Sequence, residues 1–192
     1  MDRLRDTIQS YASVEPNDLD YALTLFKKVE AKKGDFLLKE GQIARKSYFV
    51  DDGCLCLYSL RKGQKQVIEF FTEGHFCVDL LNYLERRPTN TNIWATEDTT
   101  AYAIDMDDNE KLWNRSHALE RFGRKFITAE FITLSKRIAQ MNNLSNEERY
   151  LRIMEKRPDL IQRVPQYLIA SYLGLTPVGL SKIRKRLSLS SS

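Results

Sequence analysis

Histidine is scarce in this sequence. Only His75 and His117 occur in 192 residues, and neither has partners at metal-ligand spacing. A jelly-roll metalloenzyme needs several histidines and a carboxylate around its metal, so that class lacks its ligands here. We expect no catalytic residues, no metal site and no cofactor. Cysteine is scarce too. Cys54, Cys56 and Cys77 make three, an odd number that fits reduced, buried thiols better than a disulfide framework. No apolar run reaches the roughly 18 residues that a membrane helix needs. The N-terminus, MDRLRDTIQSYASVEPNDLD, lacks the apolar core of a secretory signal. These two absences predict a cytoplasmic protein with no membrane partner.

Acid is missing from one place. From Gln166 to the end there are four bases and no Asp or Glu. From Ser145 onward there are nine bases against four acids. The whole chain nets +4, so the residues before Ser145 are slightly acidic and the positive charge is gathered at the C-terminal end. Such polarity points to a polyanionic partner there.

The rest of the composition is that of a globular protein, with 42% hydrophobic and 29% charged residues. The length allows one large domain or two small ones. Residues 1–30 read as helical, with Leu4, Ile8 and Tyr11 on one face and Leu19, Leu23 and Phe26 repeating the pattern after Pro16-Asn17-Asp18. From Gly34 the pattern changes. The segments DFLLKEG, SYFVDDG, CLCLYSL, QVIEFFTEG, NIWATED and TTAYAID are short, apolar and bounded by glycine or charge. Several strands at that spacing predict an all-β barrel or jelly roll. LLNYLERRPTN interrupts them as a short helix and loop. Phe49, Leu57, Ile68, Phe70, Phe76 and Leu81 are candidates for the interior.

Helical periodicity returns near Met106. Ile127, Phe131, Leu134, Ile138 and Met141 are spaced 4, 3, 4, 3, the seam of a coiled-coil contact or the buried stripe of a core helix. Ser145 with Glu148 forms a capping-box pattern, and Pro158 opens a further segment. The stretch YLIASYLGLTPVGLSKIRKRL then meets each requirement of a helix-turn-helix. Ala170 is small enough for a helix crossing, and Gly174 suits the tight turn. Ile169, Leu173, Leu175, Leu180 and Ile183 bury the angle. Thr176 caps the second helix and Pro177 starts it. The second helix of such a unit enters the major groove. Gln166, Tyr167, Thr176, Pro177, Val178, Gly179, Ser181, Lys182, Arg184, Lys185 and Arg186 are the candidate DNA contacts. Lys182 is assigned to base edges, and Lys185 and Arg186 to phosphates.

EGQIARKSYFVDDGCLCLY and EFFTEGHFCVDLL, followed by a long helix and IASYLGLTPVGLSKIRK, resemble the bacterial Crp/Fnr transcription regulators along nearly the whole chain. The last motif is similar to that of a Bacteroidetes branch. The resemblance implies an α+β fold: a cyclic-nucleotide-binding-like β-roll sensor with N-terminal helices (residues 1–115), a dimerisation helix (116–143) and a helix-turn-helix domain (144–192) with a reduced wing. It implies a homodimer on a pseudo-palindromic DNA operator, a dimer interface along Ile127 to Met141, and RNA polymerase as a further partner. Members that sense cyclic AMP hold its phosphate with a Gly-Glu-Leu turn and a downstream Arg-Ser pair. Here Val78-Asp79-Leu80 and Thr89-Asn90 stand at those places, so the close glycine approach and the counter-charge are both missing. Phe70, Val78, Asp79, Leu80, Thr89 and Asn90 outline where an effector would sit, and its identity is not readable. There is no N-terminal cysteine cluster for an iron–sulfur centre. Val178 and Gly179 replace the early glutamate that many members carry in the recognition helix. The expected function is a sequence-specific DNA-binding regulator that does not respond to cyclic AMP. The alternative is a module in which a cyclic nucleotide or another small ligand switches DNA binding.

Overall fold

A computed structural model describes residues 1–190, which fall into two compact units. The first unit comprises residues 1–60 and 68–130. It opens with α1 (Asp2–Tyr11) and α2 (Pro16–Leu25), followed by eight strands. These are β1 (Lys27–Ala31), β2 (Phe36–Leu38), β3 (Lys46–Asp52), β4 (Leu55–Arg61), β5 (Gln64–Phe71), β6 (Phe76–Cys77), β7 (Thr91–Ala95) and β8 (Thr99–Asp105). The short α3 (Leu80–Glu85) lies between β6 and β7, and α4 (Met106–Arg115) follows β8. The strands form two four-stranded sheets, ordered β1-β8-β3-β6 and β2-β7-β4-β5. That order is a jelly roll, as the strand spacing predicts.

Two cores flank the first sheet. Tyr48, Val50, Cys77, Ala101 and Ala103 point between the sheets, where they meet Leu55, Leu57 and Ile93. Phe49, Phe76 and Tyr102 point the other way, against Leu4, Ile8, Leu112, Leu119 and Phe122 from the helices. Successive strand residues face opposite sides, so a sheet covered on both sides reads as a continuous apolar run. That corrects the expectation that Phe49 and Phe76 line the roll interior. Leu81 is also corrected, because it is 60% exposed on α3. A third correction concerns residues 27–31. They are a strand paired with β8, not the end of a helix. Val29 and Ala31 pack inward while Lys28 and Glu30 face out.

The second unit comprises residues 61–67, the tip of the β4–β5 hairpin, together with the chain from Phe131 onward. It holds the C-terminal part of α5 (His117–Asn143), α6 (Asn146–Lys156), α7 (Pro158–Arg163), α8 (Gln166–Tyr172) and α9 (Pro177–Ser190). Ser145 and Glu148 cap α6 reciprocally, as the sequence pattern predicts. Tyr150, Ile153, Leu160, Leu168, Ile169 and Leu180 form its buried interior. The hairpin tip is tied to α8 by Ser171 and by Arg137 of α5, whose Nη2 donates to the Val67 and Tyr172 carbonyls. Val67 N donates to Ser171 Oγ at 2.9 Å, and that hydroxyl donates to the Lys65 carbonyl at 2.7 Å. The division into units thus falls inside α5, where the sequence alone marks a separate helix.

Candidate nucleic-acid interface and a closed sensor pocket

The helix-turn-helix forms as its local signals dictate. Pro165 precedes α8, and Leu173 ends it. Gly174 then takes φ +72, a left-handed backbone that favours glycine. Leu175 N donates back to Ala170 O at 2.8 Å. Thr176 Oγ1 accepts from Gly179 N at 3.0 Å, which caps α9. Leu180 and Ile183 are buried, at 1% and 7% exposure. They fix which face of α9 turns outward.

On a helix, residues 178, 181, 182 and 185 lie on one stripe, opposite the buried pair. Val178 is 65% exposed, and Ser181, Lys182 and Lys185 are exposed beside it. Next to this crest, Gln166, Pro177, Ser181, Arg184 and Lys185 line a groove of about 580 Å³. The groove brings Arg184, the base with no role assigned from sequence, to the same surface as Lys185. Arg186 is turned elsewhere and pairs with Glu147 of α6. Tyr167 is exposed at the start of α8. Gly179 is half-buried, at a position where an added Cβ would lie 3.2 Å from Thr176 Oγ1.

The site expected for an effector presents the opposite picture. Asp79 caps α3 and is buried. Its Oδ2 accepts from Asn82 Nδ2 at 2.8 Å, from Thr91 Oγ1 at 2.7 Å, and from Thr89 Oγ1 in a short contact. Thr89 Oγ1 in turn accepts from Thr91 N at 2.9 Å. Asn82, Thr89 and Thr91 are themselves buried. Val78 and Phe70 are packed away and Leu80 is half-buried, while Asn90 points to solvent. The expected effector site is therefore filled by its own side chains, and its one charge is negative. Burial pushes the Cys77 thiol well above its ordinary range, helped by the neighbouring Cys56. Such a thiol is not a thiolate at neutral pH. Among the described residues, no group of His, Cys, Asp and Glu could hold a metal ion, and no helix is long and apolar enough to cross a membrane.

Residues 28–116 match the cyclic nucleotide-binding domain family. Among solved structures, the chain is similar to the Catabolite Activator Protein of Thermus thermophilus, at 19% identity and TM-score 0.58, covering 93% of this chain and 86% of that one. FixK2 from Bradyrhizobium japonicum is similar at 17% identity and TM-score 0.71, with 86% of each chain covered. A Crp/Fnr-family protein from Eubacterium rectale is similar at 14% identity and TM-score 0.71, covering 92% of this chain and 85% of that one. The likeness to these structures shows that the chain shares their fold. No curated protein matches it significantly in sequence.

Within the matched region, the departures read from sequence have a physical consequence. The Thr89 hydroxyl, at the place of the expected arginine, is spent on Asp79. A phosphate entering here would meet a carboxylate already holding the Asn82, Thr89 and Thr91 side chains, and like charges in a poorly solvated site repel strongly. Sequence reasoning missed Asn82 and Thr91, which complete the network. The signal was present in the polar run Thr89-Asn90-Thr91-Asn92, which leads into the apolar residues of β7.

Proposed function

We propose that this chain is a homodimeric, sequence-specific DNA-binding transcription regulator whose β-roll does not take a cyclic nucleotide. The observation that carries the reading is the outward stripe of α9. It combines Val178, Ser181, Lys182 and Lys185 on a rigid helix whose C-terminal region contains no acid. A helix docked by these residues places Val178 for a thymine methyl and Lys182 for a base edge or phosphate. Lys185 and Arg184 flank the backbone and supply the salt-dependent part of binding.

Dimerisation is supported by α5. Phe131, Leu134, Ile138 and Met141 are 45 to 67% exposed, and Ile127 is half-buried. Four large apolar side chains on one helical stripe are an uncovered seam with the a/d spacing of a parallel pair. A second copy covers it and sets the spacing of two α9 helices, which must match about 34 Å to read successive major grooves. Regulation then acts by biasing that spacing. Contact with RNA polymerase and a cytoplasmic location belong to the same reading.

The test is fluorescence anisotropy with DNA from upstream of the chain's own gene, across a salt series and without added effector. Site-selective binding that disappears in a Lys182→Ala, Lys185→Ala double variant supports the reading. Binding that ignores sequence, or that survives both substitutions, overturns it. Light scattering tests the dimer: Leu134→Glu with Ile138→Glu must yield monomer. Calorimetry with cyclic AMP and cyclic GMP tests the closed pocket, where no saturable heat is expected.

A further inference from the structure

A second cavity lies in the sensor unit, away from the Asp79 network. It holds about 290 Å³ between α3 and α4. Met106 and Trp113 form an apolar floor, and Tyr83 stands as a buried wall whose hydroxyl accepts from Asn109 Nδ2 at 3.1 Å. The floor is fixed in place. Trp113 lies so close to Gly123 of α5 that a Cβ there would sit 2.3 Å from the indole Nε1. The rim carries one charge of each sign. Arg86 Nη2 and Glu110 Oε2 are 3.2 Å apart, and both side chains are 60% exposed. Arg86 ends α3 as its left-handed C-cap, at φ +52, which fixes where its side chain leaves the helix.

We propose that this cavity binds a free α-amino acid with an apolar side chain. A solvent-exposed ion pair contributes little, so parting Arg86 from Glu110 costs little. A zwitterion placed between them gives each a new partner: its carboxylate meets Arg86 and its ammonium meets Glu110. A simple anion would be opposed by Glu110, and a simple cation by Arg86. The ligand's apolar side chain rests on Met106 and Trp113, and the volume suits a side chain between leucine and phenylalanine in size. Occupancy bears directly on α3, the six-residue helix that Asp79 caps. The cavity therefore supplies an effector input that needs no phosphate-binding cassette. This inference does not depend on DNA binding.

The test is calorimetry on the full chain with L-leucine, L-phenylalanine, N-acetyl-L-leucine and L-leucinamide. The parent amino acids bind saturably, and each blocked derivative binds about tenfold more weakly, as expected for losing one charge-assisted contact. Arg86→Asn keeps a residue that tolerates the left-handed backbone. It weakens L-leucine about tenfold but does not weaken L-leucinamide, whose lone positive charge it no longer opposes. Glu110→Gln weakens L-leucine but does not weaken N-acetyl-L-leucine, whose lone negative charge it no longer opposes. Circular dichroism of both variants confirms that they fold. Absence of saturable heat for either amino acid up to about 10 mM overturns the proposal, as does equal binding by the blocked derivatives or the two variants.

Discussion

Two regions of this molecule carry the polar side chains that a binding protein needs, and they are in opposite states. Beside β7, Asp79, Asn82, Thr89 and Thr91 are buried and satisfy one another. On α9, Lys182, Arg184 and Lys185 are exposed and carry no ion pair among the described residues. A buried group that already holds its partners contributes to folding and offers a ligand nothing. An exposed base on a rigid helix contributes little to folding and keeps its charge for a partner. One fold therefore spends the polar side chains around Asp79 on structure while leaving those of α9 open.

The largest effect is expected where that distinction is broken from the closed side. Asp79→Leu removes a charged acceptor from three buried donors and the cap from α3. Hydrogen bonds to charged groups, and donors left unsatisfied, together predict a loss of about 3–4 kcal/mol. Urea unfolding measures it. A loss below about 1 kcal/mol would mean that solvent reaches the pocket.

The open side predicts the reverse pattern. Lys182→Ala with Lys185→Ala should change unfolding by no more than about 0.5 kcal/mol. The same double variant should lose about 2–3 kcal/mol of DNA affinity and flatten the salt dependence by about two charges. Anisotropy and urea unfolding on one preparation separate the two readouts. A variant that unfolds easily would show that these lysines hold the domain together.

Glu130 of α5 combines one property from each region. It is half-buried, like a pocket residue, yet no donor or cation holds its carboxyl among the described residues. Burial raises its pKa from the ordinary 4.5 to about 7, and the Glu69 carboxylate pushes the same way. Tyr11 and Cys77 also feel its charge. The folded value lies above the unfolded one, so the neutral form's stabilisation is complete below the ordinary value. It is lost as pH rises through about 7. Stability should fall between about pH 5 and pH 8. Glu130→Gln should remove that fall and gain about 1 kcal/mol at the upper end, after allowing for a part-exposed group. Unfolding curves at several pH values check it.

How much was legible depended on how local each signal was. The helix-turn-helix could be read whole, because Pro165, Gly174, Thr176 and Pro177 each act within a few residues of where they stand. The jelly roll was legible as a spacing of strands. Strand β1 was not, because Leu25 and Phe26 carry the apolar pattern of α2 straight into Lys27–Ala31. The closed pocket was legible only by what it lacks. That Thr91 would reach Asp79, twelve residues away, is set by how the start of α3 packs against β7 of the other sheet, which no short pattern encodes. The cavity between α3 and α4 left no trace in sequence, because its floor depends on an indole seated against Gly123 from another helix.

The smallest effect tests the comparison inside a single helix. Arg186 lies on α9 two turns beyond Val178, and composition alone groups it with Lys182 and Lys185. It differs in having a partner, since its guanidinium pairs with Glu147 near the start of α6. That side of α9 is turned toward its own domain. Arg186→Ala should cost about 0.5 kcal/mol in unfolding, the ordinary worth of a largely exposed pair. Its effect on DNA affinity should be smaller than that of Lys185→Ala, because the arginine must leave Glu147 before it meets a phosphate. Glu147→Gln separates the two roles. It has the same small cost in stability but releases Arg186, so DNA binding should hold or tighten slightly at low salt. If Arg186→Ala instead weakens DNA binding as much as Lys185→Ala, the pair with Glu147 dissolves on the operator. The basic face of α9 would then extend around the helix to include all four bases.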